Sequence, residues 1–73
     1  MTQHDPFFLF AETLREARQA KRFTQREVAT RIGVSVQTLS NWETGSSSPK
    51  FENALKWAAV LGYEVRLTSR TPT

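Results

Sequence analysis

Apolar residues recur at helical spacing in four separate stretches of the chain, and polar caps or glycines separate one stretch from the next. Asp5-Pro6 opens the first, with Asp as cap and Pro at the first helical position. Phe7, Phe10, Leu14 and Ala17 then share one face of a helix predicted from Pro6 to Lys21, and Phe23 closes the core from the linker. Thr24 caps a second helix over Gln25 to Ile32, where Glu27 can reach back to the Thr24 amide and complete a capping box. Its inner residues are Val28, Ala29 and Ile32. Gly33 stops this helix where a left-handed backbone is needed, Val34 plugs the corner, and Ser35 caps a third helix over Val36 to Thr44. Leu39 and Trp42 are its apolar positions, so Val36, Gln37, Thr38 and Asn41 are expected to point away from the core. Gly45 to Lys50, GSSSPK, reads as a turn before a fourth helix from Phe51 to Leu61, with Phe51, Ala54, Leu55, Ala58 and Leu61 inward.

The pattern changes after Gly62, which reads as a helix C-cap. Tyr63, Glu64, Val65, Arg66 and Leu67 alternate apolar and polar, as a half-buried strand does. With no second strand signal in the chain, the backbone of this segment is most simply satisfied by the same strand of a second copy across a two-fold axis. The alternative is an ordered tail in which Tyr63 and Val65 pack back on the fourth helix. The expected organisation is therefore a tail at 1–5, one helical domain at 6–62, a dimerisation strand at 63–68 and a tail at 69–73.

Two short helices joined by a turn of three or four residues, over Thr24 to Gly45, form the layout of a helix-turn-helix reader of DNA. Gln37 and Asn41 lie one turn apart on the second of them, and both side chains can bond an adenine edge bidentately. The bland reading of the same two residues is an ordinary polar helix surface. Val36 at the helix start can meet a thymine methyl, while Ser35 and Thr38 can bond base or phosphate unless Ser35 serves as a cap and Thr38 turns inward.

The segment resembles the helix-turn-helix of the Xre family, the Cro and lambda-repressor-like regulators. Gln25 opening the motif, Ala29 at the helix contact, Gly33 in the turn, and then Leu39, Trp42, Glu43 and Gly45 carry the resemblance. It runs from about Leu14 to Gly62 and includes Pro49, Phe51 and the Leu55 to Gly62 stretch. It implies an all-α bundle of four to five helices, here followed by a short C-terminal β-strand paired across a dimer. It also implies that Gln25 binds phosphate at the helix start, that Arg18 pairs structurally with Glu43, and that Trp42 packs in the core with its indole N–H within reach of phosphate. Ser46, Ser47, Ser48 and Lys50 can bond the DNA backbone, although the family often carries more Lys or Arg in this loop, so a modest salt dependence is expected. Some HipB-type antitoxins look similar in the segment of Tyr63, Val65 and Leu67, where a short apolar strand builds an intersubunit sheet.

Composition narrows the picture without redirecting it. A chain of 73 residues has room for one small core, burying only about 60% of its unfolded surface. It has no cysteine to staple that core or to bind zinc through thiolates. Ten Lys and Arg against seven Asp and Glu give a net charge of +3, which suits a polyanion. Arg15, Arg18, Lys21, Arg22, Arg26 and Arg31 crowd the first half, and some of them are expected to face phosphate. The apolar stretches Phe7 to Ala11 and Trp57 to Leu61 fall far short of the roughly 20 residues that span a bilayer. The start, MTQHDPFF, has no secretory signal, so a soluble cytoplasmic protein without membrane attachment is expected.

Enzymatic chemistry finds no support in these residues. His4 is the single histidine and falls in the tail, Ser46 to Ser48 have no base partner, and Glu12 with Glu16 reads as a solvated face. No Gly-rich phosphate loop exists, and neither cofactor nor metal is expected. The reading is a non-enzymatic, homodimeric regulator of transcription, a repressor whose partner is double-stranded DNA with a pseudo-palindromic operator. One alternative is the antitoxin of a toxin–antitoxin operon, which would also bind a cognate toxin protein. Another is an interaction module that has lost DNA binding, against which the polar face of the third helix argues.

Overall fold

Four helices, α1 (Pro6–Ala20), α2 (Gln25–Ile32), α3 (Val36–Thr44) and α4 (Phe51–Val60), pack around one core in a computed structural model that describes residues 5–71. His4 and the outer parts of both expected tails lie outside the described residues. Asp5 caps α1 by accepting from the Phe7 amide at 3.0 Å, with Pro6 at the first helical position. α1 ends one residue earlier than its pattern suggests. Lys21 closes it with its amide on the Ala17 carbonyl, and Arg22 turns into the left-handed region at φ 62°. Phe23 then donates its amide to the Arg18 carbonyl at 3.0 Å, which returns the chain to the core.

Ala11 and Leu14 of α1, Val28, Ala29 and Ile32 of α2, Leu39 and Trp42 of α3, and Trp57 and Ala58 of α4 form the buried centre together with Leu61. Phe7, Phe10, Ala17 and Phe23 pack against it partly buried, as the first helix pattern predicts. Trp57 is the hub. Its ring meets Trp42 at 5.5 Å between centroids and takes Phe10 edge-on at 5.9 Å.

The orientation of α4 corrects the sequence reading. Phe51 is 72% exposed and Leu55 38%, whereas Trp57, absent from the predicted inner side, is fully buried. The helix is apolar on more than one side, so periodicity does not choose its face; the fit of Trp57 against Trp42 and Phe10 does.

The expected C-terminal strand is absent from the single chain. α4 closes at Val60, Tyr63 donates its amide to the Ala58 carbonyl at 2.8 Å, and no regular structure follows among the described residues. A strand exists only through a partner's backbone, and within one chain this segment has none. Tyr63 and Val65 instead rest half-exposed beside Leu9, Phe10 and Ala58, closer to the packed-tail alternative, while Leu67 is fully exposed.

Candidate nucleic-acid interface

The α2–α3 corner is built from local hydrogen bonds. Thr24 Oγ1 accepts from the Glu27 amide at 3.0 Å, and Glu27 Oε1 accepts from the Thr24 amide at 2.7 Å, so the capping box is closed. Gly33 adopts φ 95°, a conformation that costs an L side chain on the order of 1–2 kcal/mol. The amides of Gly33 and Val34 both donate to the Ala29 carbonyl, at 2.8 and 3.0 Å. Ser35 Oγ accepts from the Thr38 amide at 3.0 Å and meets Thr38 Oγ1 at 2.8 Å, where it donates. Capping thus occupies the Ser35 hydroxyl, the structural alternative noted for it, and leaves the Thr38 hydroxyl proton as the free donor of that pair.

α3 divides cleanly. Leu39, Trp42 and Glu43 are buried, whereas Gln37 is exposed and Asn41 half-buried on the outer side. Gln37 Nε2 donates to Asn41 Oδ1 at 3.0 Å, joining the two candidate readers. Val36 departs from expectation, because it packs partly buried against the core rather than pointing fully away from it. Trp42 is in the core at 4% exposure, the packing role that the resemblance implies.

Behind α3, Glu43 is the buried charge of the domain's centre, and three donors satisfy it. Arg18 donates from Nε to Oε2 at 2.7 Å and from Nη2 to Oε1 at 3.1 Å, a two-pronged pair with side chains 13% and 2% exposed. The third donor is Gln25 Nε2, on Oε1 at 2.9 Å. Arg18 Nη1 also donates to the Phe23 carbonyl at 2.9 Å, so one side chain ties α1, the linker and α3 together. Arg18 and Glu43 thus pair in the structure; the contact from Gln25 is the part that sequence reading missed, because 18 residues separate Gln25 from Glu43 and no local signal joins them.

The loop after α3 is more committed than its composition suggests. The amides of Ser46 and Ser47 both donate to the Asn41 carbonyl, at 2.8 and 3.2 Å, and Ser46 Oγ lies 3.0 Å from Thr44 Oγ1. Those amides are spent on ending α3 rather than free for phosphate. The hydroxyls of Ser47 and Ser48 and the ammonium of Lys50 remain exposed. Of the crowded basic residues, Arg18 is consumed by Glu43, and Arg31 lies over the Phe23 ring at 5.2 Å. Lys21, Arg22 and Arg26 are exposed around the start of α2.

No helix among the described residues is long and apolar enough to cross a membrane, and no group of three His, Cys, Asp or Glu side chains gathers there as a metal site would require. In comparison with known proteins, the family described as Helix-turn-helix matches residues 14–67. The chain is also similar to the cryptic phage CTXphi transcriptional repressor RstR of Vibrio cholerae, at 35% identity over 57 residues, which are 78% of this chain and 51% of that protein. The chain thus spans about half the length of this curated relative. No solved structure gives a significant match.

Proposed function

Since the chain belongs to the helix-turn-helix family, we propose that it is a transcriptional regulator, a repressor that lays α3 in the major groove of a pseudo-palindromic operator. The division of α3 carries this reading: a buried side anchors the helix, and an outer side presents the amides of Gln37 and Asn41 one turn apart. Thr38 and the exposed part of Val36 flank them as further base contacts. Gln25 stands at the first turn of α2 with one Nε2 proton on Glu43 and the other free for phosphate, where the helix amides favour an anion. Ser47, Ser48 and Lys50 continue the backbone contacts beyond α3. Similarity to a phage transcriptional repressor supports the regulatory role.

A pseudo-palindrome calls for two copies, their α3 helices about one DNA turn apart, roughly 34 Å. The segment after Gly62 suits the joint. Paired antiparallel about Val65, it sets Tyr63 opposite Leu67 and Glu64 opposite Arg66 in both directions, so charge and apolar surface are self-complementary. In the single chain, Val65 borders a groove of about 410 Å³ with Phe7, Phe10, Phe51 and Leu55, and a second copy would cover that apolar surface along with the strand.

The test is binding to the DNA upstream of the chain's own gene against random competitor, with footprinting of the retained fragment. A protected pseudo-palindrome is expected; affinity no higher than for random DNA overturns autoregulation. Gln37→Ala should cost about 1–3 kcal/mol at the specific site and little on random DNA, while Gln25→Ala weakens both alike. The exposure of Phe51 also favours a second reading, an antitoxin that holds a toxin on this surface. A second protein copurifying with the chain in fixed ratio, and lost in Phe51→Glu, would select it.

A further inference from the structure

The outer face of α3 carries two carboxamides that are not independent. Gln37 Nε2 donates to Asn41 Oδ1 at 3.0 Å, and this bond assigns the remaining capacity of both groups. A carboxamide nitrogen has two protons. With one committed to Asn41, Gln37 keeps one N–H donor and its Oε1 acceptor. Asn41 keeps the two N–H donors of Nδ2 and one lone pair of the engaged Oδ1.

Resting on the DNA-reading function proposed above, we infer that Gln37 and Asn41 form a single two-amide unit whose internal bond sets the base step it reads. One donor beside one acceptor matches the N7 and N6 groups of adenine. Guanine offers two acceptors, and the second of them would meet Oε1, so guanine is rejected at the Gln37 position. The two donors at the Asn41 end match a base with major-groove acceptors, guanine best because it has two. Cytosine, which presents only an N4 donor there, meets neither of them and is the poorest match. The unit therefore selects an adenine beside a base that is not cytosine, and guanine is preferred at that neighbour. Asn41 acts on the adenine through Gln37 and is a positioning residue for it, while it reads the neighbouring base directly.

Asn41→Asp and Asn41→Ala separate these roles. Aspartate keeps an acceptor for Gln37 Nε2 but loses both donors; alanine loses everything. Selection from a random-sequence duplex library, with thermal unfolding of each variant as the check on folding, reads the result. Wild type should enrich adenine beside a base other than cytosine. Asn41→Asp should retain the adenine and turn its neighbour toward cytosine, whose N4 a carboxylate can accept. Asn41→Ala should lose the neighbour preference and also lower the preference for adenine over guanine by roughly tenfold, although Gln37 is untouched. An unchanged adenine preference in a folded Asn41→Ala protein overturns the coupling while leaving DNA reading intact. Failure of wild type to enrich any sequence overturns the DNA-reading function, and the coupling with it.

Discussion

The α2–α3 corner and the segment after Gly62 face the same problem, a short stretch of polar backbone outside any helix, and they meet it in different ways. In the corner, the amides of Thr24, Glu27, Gly33, Val34 and Thr38 all find acceptors within a few residues. Beyond Tyr63, the hydrogen bonds among the described residues are side-chain contacts, Glu64 with Arg66 and Ser69 with Thr71, and Leu67 lies in solvent. A motif that completes itself can be rigid in one chain and ready for a ligand. A segment that leaves its backbone open and its apolar side exposed takes its structure from whatever joins it.

The most damaging way to break the self-sufficient region is to remove the charge behind it. Glu43→Ala leaves Arg18 nearly buried without its carboxylate and takes the acceptor from Gln25. Breaking one side of a buried pair costs about 3–5 kcal/mol, a large part of the roughly 5–15 kcal/mol that holds a small domain. Urea unfolding should show a fall of that size. A loss below about 1 kcal/mol would mean that the corner holds α3 without help from α1.

The same contrast explains what could be read from residue order alone. α2 and α3 begin and end where Thr24, Gly33, Ser35 and Gly45 place them, because caps and left-handed stops act through bonds spanning three or four residues. Contacts between distant residues were harder. The Gln25 bond to Glu43 crosses from α2 to α3, and the face of α4 depends on how Trp57 fits against Trp42 and Phe10, a question of volume that periodicity cannot pose. The Gln37–Asn41 bond was within reach, since amides four apart on a helix are neighbours. The strand was legible only as an alternation. The single chain does not form it.

A smaller effect sharpens the other side of the comparison. Antiparallel pairing about Val65 places two symmetry-related Glu64–Arg66 contacts across the joint, each worth roughly 0.2–1 kcal/mol. Glu64→Arg turns both into like-charge pairs and should raise the dimer dissociation constant several-fold or more in sedimentation. The reversal Glu64→Arg with Arg66→Glu restores complementarity and should restore the dimer. Loss of association in the single variant without recovery in the double would refute this register, and a wild-type monomer at all concentrations would refute the joint.

The smallest effect lies at Arg22, where the self-sufficient region carries strain of its own. Its φ of 62° puts an L side chain in left-handed backbone at the end of α1, a position that glycine occupies without steric cost. Arg22→Gly relieves on the order of 1–2 kcal/mol of steric cost and gives back about 0.5–1 kcal/mol to the greater freedom of an unfolded glycine. A net gain of about 0.5–1 kcal/mol should remain, a rise in Tm of a few degrees for a domain of this size. Arg22 is exposed and lies three residues ahead of Gln25, the proposed phosphate contact. If strain is tolerated there for the sake of charge, the more stable Arg22→Gly protein binds specific and random DNA more weakly by the same factor, with a shallower salt dependence. Unchanged binding in the stabilised variant would show that Arg22 contributes nothing to the interface.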